Sequence, residues 1–564
     1  MIVDLKSADL AELPPYDVAI VGSGPAGGTI AAELADAGLR VCVLESGRHG
    51  RTRFADALKE VESTGLPIKE YSRERVLGGA SSTWAGLSAP LDSVDLRARD
   101  CIGGSGWPLG LDELRPAWEA ASERFGFPGE ETRGPSGFGR MRDEGRATPR
   151  LEGLDEKVFM ARAEPQRFGK LLRPTYEGDA VDLYLDASAL ELVQEPDRRG
   201  ATALRVGTSK GRELLVRARR YVLGCGGIEN ARLLLLSRSA GDAGLGNGHD
   251  QVGRCLMNHP KNYRGLLRLT QPTSSWPYLF GCLHAGFAGY AGLRLTEERQ
   301  AELGVLNSYV RFEPIFPWSD DEGVESAVLI AKRSALAMKG LARKSQKEVV
   351  ELRDYSETGD DTDLQNARKS ATDWLGVGWN VVRHAPSVAR YAYHRLSKRA
   401  PLVRTVRLRN FMEMEPAAAN RVTLSGRRDS FGQELPHVHH QTTELDRRSL
   451  VELHRALAHA VDAAGVGRLD SDLDALAAGG DAEWPITQDA SHHLGTTRMG
   501  DDPRTSVCDA DGRVHGSDNV FCAGGSLFPT SGCANPTFTV VALSIRIAAR
   551  LREELSRREE PARP

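Results

Sequence analysis

Cysteine is scarce. Eight residues in 564, at Cys42, Cys101, Cys225, Cys255, Cys282, Cys508, Cys522 and Cys533, include no C-x-x-C pair. That spacing excludes a disulfide scaffold and a haem-attachment motif, and it assigns no metal site; buried reduced thiols are expected. Long apolar runs are missing as well. Nothing approaches the roughly 18 consecutive apolar residues of a spanning helix, so no integral membrane segment is expected. Charge of one sign is also lacking: 73 Lys+Arg oppose 77 Asp+Glu, a formal net charge of −4. No electrostatic footprint for nucleic acid results. The start Met1-Ile-Val-Asp-Leu-Lys6 has no basic region before an apolar stretch. The reading is a cytoplasmic protein without a signal peptide.

What remains is ordinary for a soluble globular chain, with 40% hydrophobic and 27% charged residues. The length allows about two to four domains. Glycine is abundant, at 59 residues, and it clusters near 22–28, 78–86, 103–110, 224–227 and 524–532. Glycine gathered in loops between apolar runs lets backbone approach a ligand closely. Residues 124–148 and 357–366 read as insertions or linkers, and 557–564 as a frayed tail.

The first cluster carries a mechanism. An apolar run, Val18 to Val21, meets Gly22-Ser-Gly-Pro-Ala-Gly27, then a helix-forming stretch to about Ala37, then a second apolar run ending at Glu45. This is a βαβ unit with G-x-G-x-x-G. Gly22 permits the turn, Gly24 admits a pyrophosphate, and Gly27 lets helix pack on strand, with Pro25 and Ala26 between them. The helix N-terminus offers unpaired N–H groups to phosphate. Glu45, followed by Ser46, is placed to accept from ribose hydroxyls and disfavours a 2′-phosphate. A dinucleotide is expected; the unit alone leaves FAD and NAD open.

The second cluster is Arg75-Val-Leu-Gly-Gly-Ala-Ser-Ser-Thr-Trp-Ala-Gly-Leu-Ser-Ala-Pro90, followed by Ser105-Gly-Trp-Pro-Leu109. Further along come Tyr221-Val-Leu-Gly-Cys-Gly-Gly-Ile-Glu-Asn-Ala-Arg232 and Val252-Gly-Arg-Cys-Leu-Met-Asn-His-Pro260. Last come His492-His-Leu-Gly-Thr-Thr-Arg-Met-Gly500, Gly524-Gly-Ser526 and Asn535-Pro-Thr-Phe-Thr539. In this order the motifs resemble the glucose–methanol–choline (GMC) oxidoreductases, nearest to bacterial pyranose oxidase and C-glycoside oxidase members.

The resemblance implies an α/β fold. A discontinuous Rossmann-type FAD-binding domain (1–110, 205–260 and 480–564) joins a substrate-binding domain (111–204 and 261–479) with a mostly antiparallel sheet and helices. Asn420-Arg-Val-Thr-Leu-Ser425 looks like one strand of that sheet. It implies FAD contacts from Gly78, Gly79, Ser81, Ser82, Thr83, Trp84 and Gly86 in the second loop. Gly525, Ser526, Asn535, Pro536 and Thr537 would lie beside the flavin ring. Fungal pyranose oxidases carry a flavin-linked histidine where this chain has Thr83, so noncovalent FAD is expected.

Oxidising an alcohol requires a base for the hydroxyl proton, with a pKa near the working pH. By resemblance His492 is that base, and Asn535 is its partner, donating to the substrate oxygen. His493, one position on, reads as structural. The expected substrate is an alcohol, a secondary hydroxyl of a sugar or glycoside, with oxygen, a quinone or another electron acceptor. Alternatives are a sterol or secondary-metabolite alcohol, a non-catalytic dinucleotide-binding protein, or a simple NAD dehydrogenase. Residues 383–409 are basic and free of acids. They read as a solvated helical face, a docking surface for a partner or anionic membrane, or a loop over the site.

Overall fold

A computed structural model describes the chain except residues 9, 11, 133–148, 163, 196–198, 280–281, 285, 334–373, 398–400, 479–490 and 557–564. The expected linker 357–366, most of 124–148 and the tail 557–564 therefore lie outside the described residues.

Six parallel strands form one sheet, in the order Ile2–Asp4, Val181–Leu185, Val41–Glu45, Tyr16–Val21, Ala218–Leu223 and Val520–Cys522. The central strands are almost continuously apolar because both faces of the sheet are covered. The helix Pro25–Leu34 follows the strand Tyr16–Val21, with Pro25 at its first position where no N–H is needed. The last helix, Thr537–Ser556, lies beside it. Phe538 there stacks with Trp118 at a centroid distance of 6.3 Å and meets Phe127 at 5.1 Å. Burial of one such aromatic ring contributes about 1.5–3 kcal/mol.

Residues 181–185 correct the expected boundary. They fall inside the segment 111–204 given above to the substrate domain, yet they pair in register with Val41–Glu45. No motif marks this strand; its pairing is decided by burial of Val181, Leu183, Tyr184 and Leu185.

The second sheet has eight strands, and all its pairs are antiparallel. At its centre Tyr309–Ile315 pairs with Val403–Phe411. The helix Glu444–Ala463 lays Leu450, Leu453, Leu457 and Val461 into the same core as these strands, at helical spacing. The strand expected at 420–425 exists as Arg421–Arg428 but belongs elsewhere. It joins Glu434–His440 and Glu62–Gly65 in a separate three-stranded sheet. Alternation of side chains predicts a half-buried strand and cannot name its partner. Among the described residues no helix is long and apolar enough to cross a membrane.

Candidate active site

A cleft opens at the carboxyl ends of the parallel strands, lined by Gly22, Ser46, Arg75, Cys225, Glu229 and others. Ligands of open parallel sheets bind at this edge. Gly22 has φ +96°, and a Cβ there would stand 2.8 Å from the Gly224 carbonyl oxygen. A Cβ at Gly27 would stand 2.0 Å from the Gly22 carbonyl oxygen, so helix and turn meet only through glycine. Gly24 caps the helix without any side-chain hydrogen bond, which leaves the first amides open to a phosphate.

Ser23 ties this turn to the rest of the cleft. Its Oγ donates to Glu45 Oε2 at 2.6 Å and accepts from the Gly78 amide at 3.0 Å. Glu45 also accepts from the amides of Ser23 and Gly47. Burial raises the Glu45 carboxyl above its ordinary range, and these hydrogen bonds oppose the rise. With three of about four acceptor positions filled, one is left for a ligand hydroxyl. The second glycine loop reaches the first: a Cβ on Gly24 would lie 3.9 Å from the Gly79 Cα. The loop at 524 comes in from the other side, with a Gly524 Cβ 3.6 Å from that of Ala26. Three glycine loops far apart in sequence thus form one cradle, and it fits a dinucleotide such as FAD.

Within the second loop several expected ligand contacts serve the loop itself. Ser81 Oγ donates to the Gly78 carbonyl and accepts from the Phe168 amide. Trp84 Nε1 donates to the Gln166 carbonyl at 2.7 Å, and Gly86 lies against Pro165. Ser82 is exposed and Thr83 half-buried, its Oγ1 donating to the Ala80 carbonyl. Ser526 Oγ accepts from Asn230 Nδ2, whose other bond goes to the Ala523 carbonyl.

His492 is held by residues the sequence reading left without a role. Met257 and Leu494 form an antiparallel bridge, which brings 257–259 alongside 492–494. Asn258 Oδ1 accepts from the amides of both His259 and His492, at 2.8 and 3.0 Å. The two rings then meet edge to face, Nδ1 to Nδ1, at 2.8 Å. His259 Nε2 lies 2.8 Å from the Gly532 carbonyl oxygen, which can only accept. His259 therefore carries its hydrogen on Nε2, and its bare Nδ1 accepts from His492 Nδ1–H. The basic nitrogen left on His492 is Nε2. Burial lowers the His259 pKa, which favours the neutral ring. Ser491, just before the pair, has φ +64°, a left-handed conformation uncommon outside glycine.

Gly532 links this pair to the turn that carries Asn535. Its amide donates to Glu413 Oε1, and Arg99 grips Glu413 through two hydrogen bonds of 2.8 and 2.6 Å. Burial would raise the Glu413 carboxyl, but Arg99 together with the amides of Asn307 and Gly532 holds the group below its ordinary range. Asp95 accepts from Asn307 Nδ2 and stands beside Gly532. Burial, with the Asp92 and Glu413 carboxylates nearby, pushes Asp95 up to about 7. Asn535 and Thr537 are half-buried, and Pro536 between them is buried. The helix Thr537–Ser556 starts directly after Pro536.

The structure thus joins His492, through His259, to Gly532, three residues before Asn535. His493 turns its carbonyl toward Gly227, where an added Cβ would lie 2.2 Å from it. The signals for Asn258, His259 and Asn230 were present inside the quoted motifs, but chemistry at those positions appears only once the segments are adjacent. Asp95, Arg99 and Glu413 carry no motif at all.

The family description GMC oxidoreductase matches residues 416–544, and an FAD binding domain matches 17–254. The chain is similar to paromamine 6′-oxidase of Streptomyces fradiae, 23% identical over 94% of this chain and 90% of that one. It is 33% identical to C-glycoside 3-oxidase of Arthrobacter globiformis, over 23% of each chain. Pyridoxine 4-oxidase from Mesorbium loti superposes with TM-score 0.54 at 17% identity, covering 95% of this chain and 98% of that one.

Proposed function

We propose that this chain, which belongs to the GMC oxidoreductase family and acts on CH–OH groups with FAD as cofactor, oxidises a secondary hydroxyl of a sugar or glycoside to a ketone. The observation that supports the chemistry is the chain of contacts from the Gly532 carbonyl through His259 to His492 Nδ1. Bound FAD supplies an acceptor for the hydride leaving the alcohol carbon.

The chain's own residues do the rest. His492 Nε2 takes the hydroxyl proton, while its Nδ1–H stays donated to His259. The resulting imidazolium is favoured by that acceptor and by a ring already in position. Asn535 donates an N–H to the substrate oxygen, where negative charge grows as the proton leaves. The start of the helix Thr537–Ser556 contributes a partial positive charge to the same region. The cradle at Gly24, Gly79 and Gly524 holds the cofactor without a covalent bond, and Thr83 stands where a linking histidine would be.

Position 6 of a sugar is a second reading. The relative aligned over 94% of the chain is a 6′-oxidase, whereas the glycoside 3-oxidase aligns over 23%. A primary 6-hydroxyl gives an aldehyde rather than a ketone, with the same roles for His492 and Asn535.

Anaerobic titration tests the reading. Pyranoses, C-glycosides and aminoglycosides are offered to the yellow protein, and loss of absorbance near about 450 nm reports flavin reduction. Bleaching by a member of the panel, with a ketone or aldehyde as product, is expected. A panel that leaves the absorbance untouched removes the sugar reading.

A further inference from the structure

The helices Trp374–Arg383 and Ala385–Ser397 follow one another across the single residue His384, whose amide donates to the Asn380 carbonyl and whose carbonyl accepts from the Val388 amide. One side is anchored. Val388 and Tyr391 pack on the sheet's core, His394 lies 4.9 Å from the Trp318 ring, and His384 Nδ1 meets Asp321 Oδ2 at 3.1 Å.

The other side is apolar and faces solvent. Leu375, Trp379 and Val382, spaced four and three residues apart on one helical face, are 88%, 65% and 65% exposed. On the second helix Tyr393 and Leu396, three apart, are 58% and 84% exposed. A surface helix of a globular domain ordinarily turns such a stripe inward and a polar face outward. Here the stripe is inverted. The basic reading of 383–409 is thereby changed: Arg383 and Arg390 flank an apolar surface rather than covering a solvated face.

Charge narrows the occupant. From Trp374 to Met412 there is no acidic residue and there are eight Lys+Arg, within a chain whose net charge is −4. Among the described residues Arg407 and Arg409 are paired, with Asp320 and Glu313. Arg383, Arg390 and Arg404 have no acidic partner among them. A second copy docking face to face would set arginine against arginine. Nucleic acid would leave the leucines and tryptophan in water. An anionic lipid surface meets both demands, because aromatic and aliphatic side chains enter the headgroup boundary while arginines contact lipid phosphates.

We propose that this helix pair docks the protein on an anionic bilayer, lying in the plane of the interface without spanning it. The proposal is independent of the catalytic reading, since it uses no residue of the cleft or of the histidine pair.

Flotation of the full holoprotein with vesicles tests it. Vesicles of phosphatidylcholine with phosphatidylglycerol are expected to carry the protein up the gradient. Phosphatidylcholine alone should bind roughly a hundredfold more weakly, given three free arginines at the surface. Changing Leu375, Trp379 and Val382 together to Ser should reduce binding at least about tenfold, with flavin content unchanged. Arg383→Glu with Arg390→Glu should remove the preference for phosphatidylglycerol. If the triple variant fails to fold, brominated lipid applied to the unaltered protein still decides: quenching of tryptophan fluorescence is expected on the mixed vesicles. The proposal is overturned by absence of flotation and quenching, by equal binding to both vesicles, by binding of the folded triple variant like the parent, or by self-association through these two helices.

Discussion

The Nδ1 atoms of His259 and His492 lie 2.8 Å apart, and the carbonyl of Gly532 on the far side of His259 fixes which of them donates. A buried backbone oxygen thus selects, through one ring, the basic nitrogen of the next. His259 acts here as a positioning residue for His492, and the arrangement determines what its loss does.

His259→Ala removes the acceptor for His492 Nδ1–H. The ring then loses the partner that sets its tautomer, and the rate of flavin reduction should fall about 10- to 100-fold. Because that acceptor favours the protonated form of His492, its loss should also move the acid limb of the pH–rate profile to lower pH. His259→Asn, which keeps an acceptor oxygen near the Nδ1 position, should recover part of both. Pre-steady-state reduction across pH checks this; an unmoved profile would assign His259 a packing role only.

Gly532→Ala tests the turn behind the pair. Gly532 has φ +55°, and an added Cβ would stand 2.5 Å from Asp95 Oδ2. Neither the strain nor the clash can relax cheaply, because Glu413 and Arg99 are also buried there. Destabilisation of about 1–3 kcal/mol is expected. Flavin reduction should slow as well, since the Gly532 carbonyl orients His259. Thermal melts and single-turnover rates report the two effects separately.

Asp95 gives stability a pH dependence. Its folded pKa of about 7 lies above the ordinary aspartate value. At pH values between the two, the folded protein retains a proton that the unfolded chain has released. Stability should therefore fall as pH rises through this window, by at most about 1.4 kcal/mol per pH unit, and level off above it. Asp95→Asn should flatten that slope. The single amide oxygen cannot take the place of both carboxylate oxygens, which accept from the Asp92 amide and from Asn307 Nδ2, so the melting temperature drops at every pH and the slope is the informative quantity. Melts across this pH window decide, and an unchanged slope would place the titration elsewhere.

Ser23→Ala removes one hydroxyl that serves Glu45 and the Gly78 amide together. Leaving such buried groups short of a partner costs about 1–3 kcal/mol. The two glycine loops should loosen, and flavin should be lost on dilution or gel filtration while the fold persists. Retention of the full flavin complement would show that the cradle does not depend on this relay.

Much of the fold was legible because it is written locally. Gly22, Gly27 and Glu45 report one βαβ unit within thirty residues, and a nearly unbroken apolar strand announces a sheet covered on both faces. The strand Val181–Leu185 escaped because its partner, Val41–Glu45, lies far away in sequence and no motif accompanies it. Asn420 to Ser425 was legible as a strand but not as a member of its actual sheet, since alternation carries no partner. His492 stood out through its flanking Gly495 and Thr496. His259 did not, because its role depends on a carbonyl from residue 532 and a ring from residue 492. Buried charges such as Glu413 were invisible for the same reason: Arg99, its counter-ion, is more than three hundred residues distant. The basic tract near 390 was legible as charge; only the structure shows that leucine and tryptophan share its outer surface.

Anaerobic stopped-flow reduction of His492→Ala, beside the parent protein and with the substrate found by titration, tests the central claim most directly. Both proteins should remain yellow, and the variant should be reduced at least about a hundredfold more slowly, because the hydroxyl proton has no base to receive it. Reduction of the flavin in His492→Ala at the parent rate, with its pH dependence unchanged, would contradict the assignment of proton removal to this ring.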